Sequence, residues 1–353
     1  MNVENLIPAP DTIPVQWGWF QVLLIVTFVL HLLFMNAMLG SGIMALVGEF
    51  QMNGDADRVN HDMAKKWPYT IAFTVNMGVA PLLFLQVLYG QFIYTSSILM
   101  AVYWLSVVLL LIIAYYCAYI YDFKFETLGQ ARMIFIALAV VLLLWIGFVF
   151  SNNMVMMIQP ELWPAYFRNP FGTLLSISEP MLIPRYLHFV AASVAVGGLC
   201  RAIIWKMKNT DEASATAVRS GLRWFIWATA IQFPLGIWFL LSLPKDKMML
   251  FMGGGILHTI LLSLGLVLSI GAMAVAMKKN VWGTVWLTLA VVLDMVLMRD
   301  LLRKAYLAPY FSPSDLNVVP DYSPLVLFLL SFAVGLALIA YMLKLAASAG
   351  KEN

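Results

Sequence analysis

The sequence predicts an all-α, polytopic membrane helix bundle of about nine transmembrane helices, with a periplasmic N-terminus and a cytoplasmic C-terminus. Three observations predict it: an apolar composition, nine separate segments long enough to span a bilayer, and an uneven distribution of Lys and Arg. Of 353 residues, 62% are hydrophobic and only 11% charged, and the mean hydropathy is +0.87. Soluble domains carry about 25% charged residues, so this much apolar surface must face lipid, and a soluble multidomain protein is excluded. The formal net charge of +3 is small and dispersed and leaves no footprint for nucleic acid. Cys117 and Cys200 sit in apolar stretches outside any CxxC or CxxCH pattern. No disulfide framework, thiolate metal site or covalently attached c-type haem is expected.

A bilayer core of about 30 Å needs about 20 apolar residues per helix. Segments 18–48, 66–93, 98–121, 130–151, 181–207, 217–243, 249–277, 281–305 and 323–347 meet that length. Polar or Pro-containing stretches separate them, among them Asp55 to Asp62, Asp122 to Glu126, Lys206 to Ala215 and Ser312 to Tyr322. The connections 152–180 and 306–322 are longer than tight turns and fall on the same side. With the N-terminus outside, most of the 21 Lys and Arg collect at cytoplasmic ends, including Lys65, Lys66, Lys124, Arg132, Lys206, Lys208, Lys278 and Lys279, as the positive-inside rule requires. The polar start with Pro8, Pro10 and Pro14 does not read as a signal peptide. Residues 1–353 are expected to form one integral membrane domain without internal repeats.

Ionisable groups inside a bilayer are costly unless paired or ligated, which makes each a functional candidate. His188 lies near the outer end of the fifth segment and His258 a little deeper in the seventh, so the two differ in depth by roughly 5 Å at 1.5 Å per residue. They are placed to flank one metal. Ala191, Ala192, Ser193, Ala195, Gly197 and Gly198 follow His188, and Gly253, Gly254 and Gly255 precede His258; both helices thus offer small surfaces that a flat macrocycle can approach. Small residues serve plain helix packing equally well. Two neutral imidazoles on one iron give a low-spin, six-coordinate haem suited to electron transfer, and Arg185, one turn outward of His188, suits a propionate. The alternative is two unrelated histidines bonded to backbone. His31, in HLLFMNAMLG, lies nearer mid-membrane, while His61 falls in a polar stretch and is expected to be solvated. The eighth segment ends in DMVLMRDLLRKAY: Asp294 lies deep, and Arg299, Asp300, Arg303 and Lys304 crowd the outer end. An interfacial ion-pair cluster with snorkelling cations is one reading; the other makes Asp300 an iron or propionate neighbour and Asp294 a proton-path carboxylate.

These residues give the chain a resemblance to subunit I of the cytochrome bd quinol oxidases, best over 1–215, with 216–353 divergent. FVLHLLFMNAMLG resembles that family's first helix, whose histidine is an axial ligand at the high-spin haem pair, a role the resemblance carries to His31. HDMAKKWPYTIAFTVNMGVA is similar to the entry to its second helix. SNNMVMMIQPELW keeps Gln159 and Pro160 of a motif after its fourth helix. PRYLHFVAASVAVGG is close to the fifth-helix segment whose histidine ligates the low-spin haem b, which implies that role for His188. The family's second ligand there is a methionine; GGGILHTILL puts His258 in its place, which would keep six-coordination and lower the potential. RDLLRK resembles a Glu-x-x-Arg element near the high-spin haems and implies that place for Asp300 and Arg303. Two departures stand out. The third segment has no carboxylate before Asp122, where the family has two glutamates, and SLPKD stands where the family has a long external loop implicated in quinol oxidation.

The resemblance therefore implies a haem b membrane electron-transfer subunit, with one haem and up to three, in a multi-pass chain of the bacterial inner membrane. It is expected to link the quinone pool to a redox partner on the outer face such as a periplasmic c-type cytochrome, beside a second membrane subunit. The alternatives are a quinol-oxidising oxygen reductase with other proton carriers and a haem-free transporter or assembly subunit. No catalytic residue is assigned.

Overall fold

The computed structural model describes residues 3–50, 54–208 and 212–349. Its order is α1 (Trp17–Glu49), α2 (Gly54–Leu99), α3 (Ala101–Phe123), α4 (Arg132–Ile158), α5 (Leu182–Lys208), α6 (Glu212–Leu241), a short α7 (Lys245–Met249), α8 (Ile256–Met277), α9 (Val281–Leu307) and α10 (Ser323–Ala349). Among the described residues, 8 helices are long and apolar enough to cross a membrane: α1 to α6, α8 and α9. The ninth expected segment is helical as α10, but its described residues are exposed apart from Gly335, which is half-buried. It stands away from the other helices.

Packing divides the rest into two four-helix groups, α1–α4 and α5, α6, α8 and α9, joined chiefly where α1 crosses α5. That crossing depends on glycine. A Cβ on Gly40 would collide with the backbone carbonyl of Ser193, and one on Gly197 would stand 2.7 Å from the Gly40 Cα. Close backbone approach of this kind is how small residues drive association where lipid offers no hydrophobic contrast. Beside it, Ser193 Oγ donates to Asn36 Oδ1 at 2.9 Å. The α5–α6 contact repeats the device, since a Cβ on Gly198 would lie 2.6 Å from the Gly221 carbonyl oxygen.

Three expected boundaries are corrected. The polar stretch 54–65 is helical rather than a loop, so α2 begins well before residue 66; His61 rides on it, stacked on Phe125 at 4.7 Å and 4.0 Å from Glu126 Oε1 rather than simply solvated. At its other end α2 runs through 94–97 to Leu99, with a kink at Tyr89 (φ −138°, ψ 33°). The unpaired groups at the α2–α3 junction are taken up by the long connection after α4: Val102 N donates to Gly172 O and Leu174 N to Leu99 O. The expected seventh segment, 249–277, is broken. Residues Leu250–Gly254 form a π-helical turn in which Gly253 takes φ +107°, a backbone open to glycine and few others. The glycine run that looked like a flat packing surface is thus a hinge in the chain, and His258 lies in the first turn of α8 instead of deep within a continuous helix.

Connections 159–181 and 308–322 do pack on one side, as expected. Tyr310 Oη donates to Glu161 Oε1 at 2.7 Å, and Ile13 pairs with Val318 in a single parallel bridge.

Candidate site at the Asp300 end of the bundle

Asp300 and Arg303 lie one helical turn apart on α9, a spacing at which side chains meet. Both are buried, and Arg303 forms an ion pair with Asp300 Oδ1 while Lys304 Nζ takes Oδ2 at 2.8 Å. The kink in α2 brings Tyr89 beneath them, with the Arg303 guanidinium 4.7 Å from the ring centroid. From α1, Gln21 reaches the neighbourhood of Asp300. Arg299 lies over Phe28 of α1 at 4.3 Å, and Arg185 of α5 completes the group, with Tyr306 and Arg303 as its neighbours. Leu24, Ile25 and Phe28 of α1 and Val296, Arg299, Asp300 and Arg303 of α9 line a small cavity here.

Two features set this cluster apart from a closed ion-pair network. Cations outnumber carboxylates, since Arg303 and Lys304 share Asp300 while Arg185 and Arg299 stand beside them with no ion-pair partner among the described residues. Several polar atoms are also buried without a hydrogen bond of ordinary geometry: Arg185 Nη1, Arg303 Nε, the Gln21 amide beside Asp300 and Tyr89 Oη beside Arg303. Each such group costs about 1–3 kcal/mol. An anionic, hydrogen-bond-accepting ligand would relieve both deficits.

The histidines sit around this cluster and not in it. His31 Nδ1 is 3.1 Å from the Thr74 carbonyl oxygen, and a Cβ on Gly78 would lie 2.9 Å from its Cε1, so the ring is lodged against α2. His188 faces α6: a Cβ on Gly236 would stand 3.4 Å from its Cε1, and the Gln232 backbone carbonyl is its polar neighbour. Its Nδ1 is nevertheless buried without a hydrogen bond of ordinary geometry, as is Nε2 of His258. The His258 ring stands edge-on to Phe251 at 5.1 Å, a contact made by the π-helical turn.

Helix register relates these two rings. One and two heptads below His188 on α5 are Ala195 and Ala202, and at the same steps below His258 on α8 are Gly265 and Ala272. A heptad returns to the same helix face within about 20°, and Ala195, Ala202 and Ala272 belong to one packed cluster with α6. The face below His188 meets α6 at Gly221 and the face below His258 meets α9 at Asp294, so the two rings stand on faces with different neighbours. Among the described residues, no three His, Cys, Asp or Glu side chains gather as a bare metal ion would need; a macrocycle that brings its own equatorial ligands needs only axial donors. The donor set and the arginine surplus fit such a group.

Of the residues expected from sequence, the structure gathers Asp300, Arg303 and Arg185, and brings His31 to their edge, where Arg299 exerts its charge on the ring. It does not bring His188 or His258 into bonding contact with them. Gln21, Tyr89 and Arg299 were not singled out as site residues. Gln21, a lone amide one turn inside an apolar span, carried a legible signal; Tyr89 did not, because only the kink delivers it.

Among solved structures, the chain is similar to a bd oxidase from Geobacillus thermodenitrificans, with a TM-score of 0.68 and 11% identity over 92% of this chain and 96% of that one. At that identity the likeness is one of fold. No protein-family model matches the sequence, and no curated protein does.

Proposed function

We propose that this multi-pass membrane protein is a haem b electron-transfer subunit of cytochrome bd-like architecture, with His188 and His258 as axial ligands of one low-spin haem. What supports this reading is the pair of half-buried imidazoles, each with a ring nitrogen that lacks a hydrogen bond of ordinary geometry, in the first two turns of α5 and α8, within a fold similar to that of a bd oxidase. A bound haem supplies reversible one-electron chemistry. The chain's own residues supply the rest. His188 and His258 would hold the group from two helices. The Gln232 carbonyl beside His188 is the kind of neighbour that orients a ligating imidazole. Arg185 and Arg299 would offer charge to the group's carboxylates at the Asp300 end, and Phe251 stands edge-on to the His258 ring.

Ligation by two imidazoles leaves no open position for a substrate, so the role is carriage of electrons. In this reading the site lies toward the outer face of a bacterial inner membrane. Quinone is the membrane-side redox partner in this reading and a periplasmic c-type cytochrome the outer one. A second membrane chain is the expected neighbour of α10, whose described large apolar side chains are exposed. His31 is a candidate for a second haem.

Reduced-minus-oxidised spectra of the purified complex test this directly. The expected result is a b-type signal that His188→Ala or His258→Ala abolishes while the protein still inserts and purifies. A colourless wild-type complex, or a spectrum indifferent to both substitutions, overturns it.

A further inference from the structure

Asp294 takes no part in the site above. It is the central residue of α9, thirteen residues from both Val281 and Leu307, or about 20 Å from either helix end. Its side chain is 3% exposed, and both carboxyl oxygens are buried without a hydrogen-bond partner. It faces α8 at Gly265, where a Cβ would collide with Oδ2 and would also touch Cε of Met298 at 3.4 Å. Gly265 is itself near the middle of α8. The missing side chain on one helix is the space that the carboxyl of the other fills.

The titratable groups on the elements around Asp294 are few. On α8 His258 is the one candidate, on the same face as Gly265 and seven residues outward, about 10 Å along the axis. On α5 they are Arg185, Tyr186, His188, Cys200, Arg201, Lys206 and Lys208, on α1 His31 and Glu49, and on α7 Lys245, Asp246 and Lys247. Between its ends α4 has none, and on α9 itself Arg299 is the nearest, five residues outward. None bonds to Asp294. A carboxylate at the bilayer midplane without a counter-charge is strongly disfavoured. The same carboxyl carrying its proton is tolerable, yet it contributes no hydrogen bond to the fold, and a purely structural role would be filled more cheaply by an apolar side chain.

We infer that Asp294 is a proton-binding carboxyl in the membrane interior, whose occupancy follows the charge on the redox group held by α5 and α8. The step is one proton on the carboxylate, giving the neutral acid, when that group gains an electron, and release of the same proton when the electron leaves. The one-heptad relation of Gly265 to His258 puts the carboxyl about 10 Å along the axis from one of the two proposed ligands, so this coupling rests on the haem reading. The proton site itself does not.

The test has two parts, both on the intact complex in membranes or detergent. A hydrophobic carbodiimide reacts with protonated, membrane-buried carboxyls. Mass spectrometry of the wild-type chain is expected to find its adduct on Asp294, declining as pH rises and absent from Asp294→Asn. No adduct there, or an adduct suppressed by Na⁺ at constant pH, which would mark a metal-cation site, overturns the inference. In the second part, the midpoint potential of the b-type signal is expected to depend on pH in the wild type and to lose that dependence in Asp294→Asn with the optical spectrum unchanged. An unaltered pH dependence overturns the coupling. A complex without haem would defeat the proposed function and leave the carbodiimide result to decide the proton site.

Discussion

The two ends of α1 each meet a buried carboxylate, and the two are built differently. At one end Glu49 is satisfied within the fold: Oε1 accepts from Tyr121 Oη at 2.6 Å and Asn60 Nδ2 at 3.2 Å, and Oε2 from Arg132 Nε at 2.8 Å. One carboxylate thereby ties α1, α2, α3 and α4 together. At the other end Asp300 is shared between Arg303 and Lys304, with Arg185 and Arg299 in the same neighbourhood and several buried polar atoms unbonded. A polar network whose members are all paired is a structural clamp. One that carries surplus cations and open donors is shaped for something that the chain does not itself supply.

Three substitutions can break or sharpen that contrast. The largest effect belongs to the clamp. Glu49→Ala leaves Arg132 without its carboxylate and is expected to cost about 3–5 kcal/mol, read as a fall in the thermal unfolding midpoint in detergent that added haem does not repair. Smaller, and different in kind, is Arg185→Leu. It removes a buried charge with an unbonded nitrogen, so the cofactor-free protein is expected to be unchanged or up to about 1 kcal/mol more stable, while haem retention during purification falls. Equal losses of stability with and without haem would show that Arg185 is a structural cation and that the two ends are alike. The smallest effect is at a place belonging to neither: Asn280 caps α9 through its side chain, accepting from Gly283 N at 3.0 Å. Asn280→Ala is expected to cost about 1 kcal/mol without altering haem retention. A cap loss that also released haem would mean the Asp300 end responds to any disturbance of α9.

Much of the architecture was legible because bilayer thickness converts directly into a count of apolar residues. That arithmetic gave nine spans, of which eight are helices long and apolar enough to cross a membrane among the described residues, and it gave the pairing of the two long connections. What escaped it was backbone behaviour within a segment. Hydropathy treats 249–277 as one stretch, but Gly253, with φ +107°, ends the helix there and places His258 in a first turn. Hydropathy likewise reads 54–65 as a polar gap, whereas the helix continues through it, tied to α1 where Asn60 Nδ2 donates to the Ala45 carbonyl oxygen at 3.2 Å. The site was half legible on the same terms. Asp300 and Arg303 show their partnership as an i, i+3 pair on one helix. Gln21, Tyr89 and Arg299 show no such thing, since their meeting depends on how α1, α2 and α9 cross.

By itself, then, the sequence determined that the chain crosses the membrane many times, and it marked the few ionisable side chains for which lipid demands an explanation. Those are properties of single segments, and the energy of transfer into lipid is set segment by segment. Only the tertiary structure decided which of those side chains are satisfied. Glu49 finds its partners on three other helices, Asp294 faces a glycine, and Arg185 and Arg299 find no carboxylate of their own. Pairing depends on distance between helices, and distance is set by the glycine-lined crossings of α1, α5 and α6, which no single span encodes.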